Sequence, residues 1–314
     1  MPNSPLKNLN AYFIKADGKG GRNLLIDTGF RREECRASLL GGLAELGVSM
    51  DDSDIFLTHL HADHSGLAAD VAGVGTRIFM SRDDSARLAG FKQADDGDGL
   101  KSSQILQGFP DTPRFRGFLN RGRRFSCESP ERFEPVDDGD VFTYGGHRLQ
   151  AVSTPGHTPG HLCLYDAENK IMFLGDHVLF DITPNITAWQ GFSDPLGTYI
   201  QNLRKIREYD VRLPLPGHRG VPCDMKTRID QIIEHHGARL KEILDTLDLH
   251  PGITAYELSS RMSWNIRADG GWENYPVPQI WFAVGETGAH LEYLLPRGMI
   301  TRERRDGVDL YFPA

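Results

Sequence analysis

The sequence predicts an α/β fold followed by a smaller helical module. In the first two thirds of the chain, short apolar runs alternate with turn residues and helical patterns. Several of these runs stop at a glycine that is followed by histidine, or by aspartate and histidine. A long helical pattern then separates this region from about 60 residues of different organisation, which predicts a second, smaller domain.

The main domain is assigned to residues 1–225. Its first 80 residues predict strands in AYFIK and NLLIDTG, a helix over Glu33 to Leu46, and a further strand in DIFLTHLHADHSG. Strand patterns return in HRLQAVSTPGH, HLCLYDAENKIMFLGDH and VRLPLPGHRG. Between these two regions, residues 83–136 are rich in glycine, proline and charge, which predicts a cap or loop insertion.

The remainder of the chain predicts helices and a hairpin. Apolar residues at helical spacing from Lys226 to Leu247 predict a helical linker over residues 226–250. In residues 251–314, TAYELSSRM and PQIWFAVGETGAHLEYLLPRG predict two helices, and MITRERRDGVDLYF predicts a hairpin. The order helix, helix, hairpin is typical of a winged helix-turn-helix domain.

Composition excludes several classes of protein. The 314 residues contain 35 Lys and Arg against 43 Asp and Glu, and this acidic balance disfavours a dedicated nucleic-acid binder. No run approaches 18 apolar residues and the start shows no signal pattern, which disfavours a membrane or exported protein. The four scattered cysteines form no C-x-x-C pair. We therefore expect reduced thiols in a cytoplasmic protein.

One short loop holds four potential metal ligands. His59, His61, Asp63 and His64 fall within six residues directly after an apolar strand. In an extended segment His59 and His61 project to the same side. A turn over residues 62–64 could direct the other two at a neighbouring position, so that one loop serves two ions. Because so polar a cluster at the end of a strand has little structural purpose, it predicts a metal site.

Three later motifs supply the further ligands that a divalent ion needs. They are TPGHTPGH with His157, FLGDH with Asp176 and LPGHRG with His218, and a glycine before each ligand permits a tight turn. The predicted sets are His59, His61 and His157 for one ion, Asp63, His64 and His218 for the other, and Asp176 bridging both. Imidazole and carboxylate donors suit two divalent ions, with zinc expected first and iron or manganese as alternatives.

These motifs resemble those of the metallo-beta-lactamase superfamily over residues 9–222. Asp27 in IDTG resembles the first motif, an aspartate that in the family orients the ligand loop and is not itself a ligand, and HLHADH, His157, Asp176 and His218 follow in the family's order. The resemblance implies a four-layer αββα sandwich, with the site at one edge between two sheets. The TPGHTPGH form, and Asp176 in place of a cysteine, look more like the glyoxalase II, lactonase and thioesterase-like branches.

The last 64 residues resemble the winged-helix tail of some members of this superfamily, including an endoribonuclease branch. Residues 251–314 contain six Arg, no Lys and eight acidic residues, and phosphate binding needs a stronger positive charge. We expect a structural or pocket-covering role. In that role four aromatic side chains would pack on the main domain or on a second subunit of a homodimer: Trp264, Trp272, Tyr275 and Trp281.

The predicted function is that of a dinuclear metal-dependent hydrolase of a small acyl substrate, such as an ester, thioester or lactone. A metal-bridging hydroxide would attack the acyl group, and Asp63 or a metal-bound water would pass the proton onward. His177 is a candidate to face the substrate. Arg114 and Arg116 belong to an arginine-rich stretch without acids, which could bind a carboxylate or phosphate of the substrate.

Two rival functions follow from other features. The tail and the arginine-rich stretch suggest a metal-dependent endoribonuclease, whose binding would weaken steeply with salt. The tail also suggests a non-enzymatic ligand sensor that contacts DNA or a partner through the winged helix, although intact ligands in all five motifs disfavour it. His161 would either hold the loop of His157 by a hydrogen bond or simply pack.

Overall fold

The protein divides into two compact units in a computed structural model that describes residues 6–18, 20–93, 106–116, 127, 132–266 and 270–314. The first unit comprises residues 1–94, 123–184 and 202–229. The second unit comprises residues 95–122, 185–201 and 230–314.

Two five-stranded sheets form the first unit. The first sheet contains, in spatial order, β1 (Tyr12–Ile14), β2 (Asn23–Ile26), β3 (Ser53–Phe56), β4 (Ile78–Ser81) and β5 (Phe133–Val136). The second contains β6 (Val141–Tyr144), β7 (His147–Ser153), β8 (Leu162–Asp166), β9 (Ile171–Gly175) and β10 (Leu213–Pro216). Strands β2 to β5 run parallel, β6 to β9 run antiparallel, and β10 lies parallel to β9.

Nine α-helices accompany these strands in the described residues. They are α1 (Glu33–Glu45), α2 (Ala62–Ser65), α3 (Ala68–Val71), α4 (Arg82–Gln93), α5 (Pro113–Arg116), α6 (Pro195–Arg207), α7 (Met225–Leu249), α8 (Ala255–Arg261) and α9 (Val277–Leu294). The predicted helices over α1 and α7 and the predicted strands before each polar motif are confirmed. No helix in the described ranges has the length and apolarity needed to cross a bilayer.

A buried apolar layer lies between the two sheets. Leu24 of β2 and Phe56 of β3 pack in one cluster with Leu149 of β7 and Leu164 of β8. Because successive strand residues point to opposite faces, Leu25 points away from this layer and borders a groove beneath α1. All four residues of β2, β3 and β4 are buried, as expected for parallel strands covered on both faces. The predicted α/β class is confirmed.

Both ends of the segment predicted as an insertion, residues 83–136, are regular structure. Helix α4 begins at Arg82 and packs on β4 and β5, and β5 is an edge strand of the first sheet. A four-residue strand that contains Pro135 shows little alternation in sequence, and its proline is tolerated because the strand lies at an edge. The interior of the segment lies mostly outside the described residues.

Residues 251–314, the C-terminal part of the second unit, have the predicted order of helix, helix and hairpin. Helices α8 and α9 are followed by β11 (Ile300–Arg305) and β12 (Val308–Pro313), which pair antiparallel. The two turn residues, Asp306 and Gly307, both have positive φ, as the tight turns that suit a two-residue hairpin loop require. Thr254 caps α8 in a capping box with Glu257. The winged-helix identity of this unit stays a prediction.

Aromatic side chains that the sequence assigned to an interface pack inside the second unit. Trp264, Trp272 and Tyr275 border its buried apolar core. The ring of Trp281 lies 5.7 Å from that of Phe109. All four aromatic side chains therefore have packing partners within the second unit. The predicted homodimer stays a prediction.

Candidate metal centre

The loop after β3 carries two members of the first ligand group, which we define as His59, His61 and His157, and the loop after β7 carries the third. The chain leaves β3 at Phe56, and α2 begins at Ala62. Nε2 of His59 lies 3.1 Å from Nδ1 of His61. One nitrogen from each of the three histidines lies within 4.8 Å of the others. These three histidines, which the sequence predicted as one set, are therefore close enough to bind the same ion.

The second ligand group consists of Asp63, His64 and His218. Asp63 and His64 lie on the single turn of α2, which turns them away from the extended segment before it. Nε2 of His218 lies 3.2 Å from Oδ2 of Asp63. The three donor atoms again lie within 4.8 Å of one another. His218 reaches this position because β10 ends beside β9, at the same edge of the second sheet.

Asp176, which follows β9, lies between the two groups. Its Oδ1 is 3.3 Å from Nε2 of His64. Its Oδ2 is 3.5 Å from Nε2 of His218 and 3.7 Å from Nε2 of His157. One carboxylate thus faces histidines of both groups, which is the position that a bridging ligand needs.

Gly217 allows this close packing. A Cβ atom at this position would lie 2.6 Å from Oδ1 of Asp176 and 2.7 Å from Cε1 of His64. Both of these side chains are buried and held by other contacts. Any side chain at residue 217 would therefore push the ligands apart.

The histidines of the two groups differ in charge. Burial, with the neighbouring His157, lowers the pKa of His61 to about 3, and burial also holds the pKa of His59 well below its usual value. Burial acts in the same direction on the second group, but the carboxylates of Asp176 and its neighbours outweigh it. They raise the pKa of His218 to about 10 and that of His64 well above its usual value. Without an ion, these raised pKa values favour the protonated rings of His64 and His218 at neutral pH.

The same neighbouring charges lower the pKa values of the two carboxylates at the site, Asp63 and Asp176. Burial alone would raise the pKa values of Asp63 and Asp176. The positive charge on His64 and His218 outweighs burial and holds the pKa of Asp176 well below its usual range, and His64 likewise lowers that of Asp63. Both carboxylates are thus ionised near neutrality and available as ligands.

Asp27 orients the ligand loop without belonging to either group. Its Oδ1 accepts a hydrogen bond from the backbone N of Thr58 at 2.9 Å, and its Oδ2 accepts one from Oγ1 of Thr58 at 2.8 Å. Oδ2 also lies 2.7 Å from Nδ1 of His64. On the other side of the site, Nδ1 of His218 donates to the carbonyl oxygen of Asn8 at 2.6 Å. These bonds direct the Nε2 atoms of both rings toward the carboxylates.

Two further histidines lie behind the ligands. His161 is buried, its Nδ1 lies 2.8 Å from Oγ1 of Thr154, and its Nε2 accepts a hydrogen bond from the backbone N of Asp176. It therefore holds a ligand in place. His177 has no exposed surface, and burial lowers its pKa to about 3. This burial argues for a packing role of His177 over the predicted contact with substrate.

Arg114 and Arg116, which the sequence singled out as candidates to bind the substrate, belong to the second unit. Arg114 donates to the carbonyl oxygens of Glu273, at 2.5 Å, and of Tyr275. These bonds tie α5 to the segment before α9, and a contact of Arg114 with substrate stays a prediction. The side chain of Arg116 lies outside the described residues.

One buried carboxylate near the site was not predicted. Asp84, in the first turn of α4, accepts hydrogen bonds from Leu60, Thr158 and Gly160. In sequence, Ser81 followed three residues later by Asp84 indicates only a local helix start. Nothing in that pattern points to the distant loops that Asp84 contacts.

The donor set fits divalent metal ions. Three buried atoms that could bind a metal make no hydrogen bond of good geometry. They are Nε2 of His64, Nε2 of His218 and Oδ1 of Asp176. Buried polar atoms rarely lack a partner, and a bound ion would supply one for all three atoms. The donors are imidazole and carboxylate without thiolate, which suits zinc, iron or manganese. In the part of the chain that the structure describes, the three possible metal-binding groups all lie at this site.

Solved structures of known proteins share this fold. A metallo-beta-lactamase family protein from Thermus thermophilus is 30% identical to the chain, with a TM-score of 0.84 over 100% of this chain and 96% of that one. A beta-lactamase domain protein from Burkholderia ambifaria, at 24% identity and a TM-score of 0.81, covers 100% of this chain and 89% of its own and shares the fold.

Curated relatives carry two kinds of name. A "Beta-lactamase-like protein 2 homolog" from Caenorhabditis elegans is 27% identical over 85% of this chain and 73% of its own. An "Atrochrysone carboxyl ACP thioesterase" from Emericella nidulans is 28% identical over 77% of this chain, and the chain spans only 61% of that relative. The family model described as "Metallo-beta-lactamase superfamily" matches residues 6–218, a range that contains all the candidate ligands described above. The chain belongs to the metallo-beta-lactamase superfamily, and its donor set is consistent with a metal-dependent hydrolase.

Proposed function

We propose that the protein is a dinuclear metal-dependent hydrolase of small acyl substrates, with thioesters as the preferred class. The observation that carries the proposal is the position of Asp176, which faces histidines of both ligand groups at 3.3 to 3.7 Å. A carboxylate so placed can hold two ions side by side. The thioester preference is supported by the relative named as an acyl carrier protein thioesterase.

The ligand groups would hold one ion each, and Asp176 would bridge them. Two bound ions would supply a hydroxide nucleophile at neutral pH and polarise the acyl oxygen. Zinc is the expected metal, because all seven donors are imidazole or carboxylate and no redox step is required.

The protein's own side chains position the reaction and move its proton. Asp63 is ionised near neutrality and keeps a small exposed fraction of 7%, so it can accept a proton and pass it to the leaving group. Asp27 and His161 hold the ligands in place from behind. Burial of every candidate ligand except His61 limits competing contact with water.

A metal and substrate panel tests the proposal. The purified chain would be analysed for metal content and assayed on acyl thioesters, p-nitrophenyl esters, lactones and a single-stranded RNA oligonucleotide. We expect about two zinc ions per chain and turnover of thioesters that is lost in Asp176→Asn and His61→Ala. Cleavage of RNA, with binding that weakens steeply between low and moderate salt, would favour the endoribonuclease instead. No turnover of any substrate by the fully metal-loaded chain would favour the sensor.

A further inference from the structure

A buried carboxylate joins the two loops that carry the first ligand group. Asp84 has no exposed surface. Its Oδ2 accepts hydrogen bonds from the backbone N of Leu60 at 2.9 Å and from Oγ1 of Thr158 at 2.7 Å. Its Oδ1 accepts one from the backbone N of Gly160 at 2.8 Å. One side chain thus satisfies three donors from two separate loops.

Two of the three partners of Asp84 are direct neighbours of candidate ligands, and the third, Gly160, lies on the same loop as His157. Leu60 lies between His59 and His61, and Thr158 directly follows His157. The carboxylate therefore spans the gap between the pair of histidines on one loop and the single histidine on the other. These are the three members of the first ligand group.

The surrounding packing leaves little room for another arrangement. A Cβ atom on Gly160 would lie 2.6 Å from the backbone N of Asp84 and 2.8 Å from its Cγ. Only glycine permits so close an approach of the His157 loop to α4. Asp84 is anchored in turn at the start of α4, where its backbone N donates to Oγ of Ser81.

We propose that Asp84 is a positioning residue that sets the distance between the His59 and His61 pair and His157, and with it the affinity of the first ligand group for a divalent ion. This inference rests on the proposed function, because it requires that the ligand groups hold metal. Asp27 bonds directly to a ring of the second group, whereas Asp84 acts on the first group through Leu60, Thr158 and Gly160.

An amide cannot replace this carboxylate. In Asp84→Asn, one orientation of the amide points its NH2 at the backbone N–H of Gly160, and the other points it at that of Leu60. In either case two donors face each other and one loop loses its anchor. Loss of a residue that orients metal ligands typically weakens metal binding about 10- to 100-fold.

The test measures metal affinity in place of activity. Metal-free wild type and Asp84→Asn would be titrated with Zn²⁺ against a chromophoric chelator, and with Co²⁺ followed by visible absorption. We expect the wild type to bind two ions, and Asp84→Asn to bind one of them about 10- to 100-fold more weakly while keeping the other. The matched control is Asp166→Asn, since Asp166 is also a buried carboxylate with three hydrogen bonds, to Asn169 and His147. It should keep both affinities.

A second background identifies the affected ion. His61→Ala removes a ligand of the first group, so the ion that this variant still binds is held by the second. Adding Asp84→Asn to it should leave that affinity unchanged, and a further loss of about 10-fold or more would overturn the inference. Should Asp84→Asn fail to fold, Thr158→Val removes one of the three bonds and should weaken the same ion to a smaller extent.

The outcomes separate the two proposals. If the wild type binds two ions and Asp84→Asn binds both with unchanged affinity, the inference is wrong and the proposed function stands, even if the variant unfolds at a lower temperature. If the wild type binds no divalent ion, the proposed function is wrong and the inference falls with it.

Discussion

Oδ2 of Asp27 lies 2.7 Å from Nδ1 of His64, so the opposite nitrogen of the ring, Nε2, is the atom that faces Asp63 and Asp176. The carboxylate thereby selects the ring tautomer with its proton on Nδ1, which leaves Nε2 free to bind an ion. A member of the second group is thus oriented by a residue that belongs to neither ligand group.

Replacing Asp27 by asparagine should weaken the second group. One orientation of the amide turns its NH2 toward Nδ1 of His64 and the other turns it toward the backbone N–H of Thr58. Either way a bond that the carboxylate accepts is lost, so we expect metal binding to weaken about 10- to 100-fold. Chelator competition measures this change. Asp70→Asn, which alters a surface ion pair with Arg31, is the control, and equal affinities in the two variants would contradict the prediction.

Metal binding to the second group should release protons. His64 and His218 carry raised pKa values, so an ion must displace one proton from each at pH 7, whereas His59 and His61 are already neutral. Below the raised pKa values, affinity at the second group should fall about 100-fold per unit decrease in pH, because two protons compete with the ion.

Calorimetry in buffers of different ionisation enthalpy measures these protons. Titration of the metal-free protein at pH 7 should show about two protons released with the ion of the second group and fewer with the ion of the first. Equal proton release in both steps would show that the charges of the two groups do not differ.

Stability should depend on pH through Asp84. Burial raises the pKa of this carboxyl to about 6, while its usual value is 3.8. A raised pKa in the folded state favours folding at low pH, and that contribution is lost as the pH rises through about 6. Relative to Asp84→Asn, the wild type should lose about 2 kcal/mol of unfolding free energy between pH 4.5 and pH 7.

Urea unfolding of the two metal-free proteins across this range measures the difference. Other titrating groups act alike in both proteins and cancel in the comparison. A constant difference from pH 4.5 to pH 7 would mean that the pKa of Asp84 is not raised.

A methyl group at residue 217 should disturb both groups at once. In Gly217→Ala the new Cβ would meet Asp176 and His64 at 2.6 and 2.7 Å, and overpacking of this kind costs about 1–3 kcal/mol. We expect weaker binding of both ions by elemental analysis after dialysis. Gly220→Ala is the matched control, because a Cβ there has no atom within 4 Å among the described residues. The same metal content in both variants would refute the steric argument.

The strand patterns predicted the ligands because each ligand follows a strand. His59 follows β3, Asp176 follows β9 and His218 follows β10, so the apolar run and the polar residue after it were enough to nominate them. Their convergence depends on which strands are neighbours. The parallel pairing of β10 with β9, which places Asp176 beside His218, is a tertiary choice that periodicity does not encode.

Three other features could not be predicted from the sequence: the short strands β4 to β6, the role of Asp84 and the contacts of Arg114. Strand β5 contains Pro135, which argues against a strand in sequence, and the short apolar runs of β4 and β6 are not followed by a ligand motif that would draw attention to them. The role of Asp84 depends on loops far away in the chain, and its local context indicates only the start of a helix. Arg114 was singled out for its charge, and its bonds to backbone carbonyls depend on packing inside the second unit.

Each ligand group draws on both sheets of the first unit, since the loop after β3 belongs to one sheet and the loops after β7 and β10 belong to the other. An ion held there would act as a cross-link that closes a long loop of the unfolded chain, and such closures remove conformational entropy much as a disulfide does. Ions that bind only the folded chain also shift the folding equilibrium by mass action. In a metal-starved cell the chain would therefore unfold more often and be degraded faster. Metal supply would then set the abundance of the protein as well as its catalytic rate.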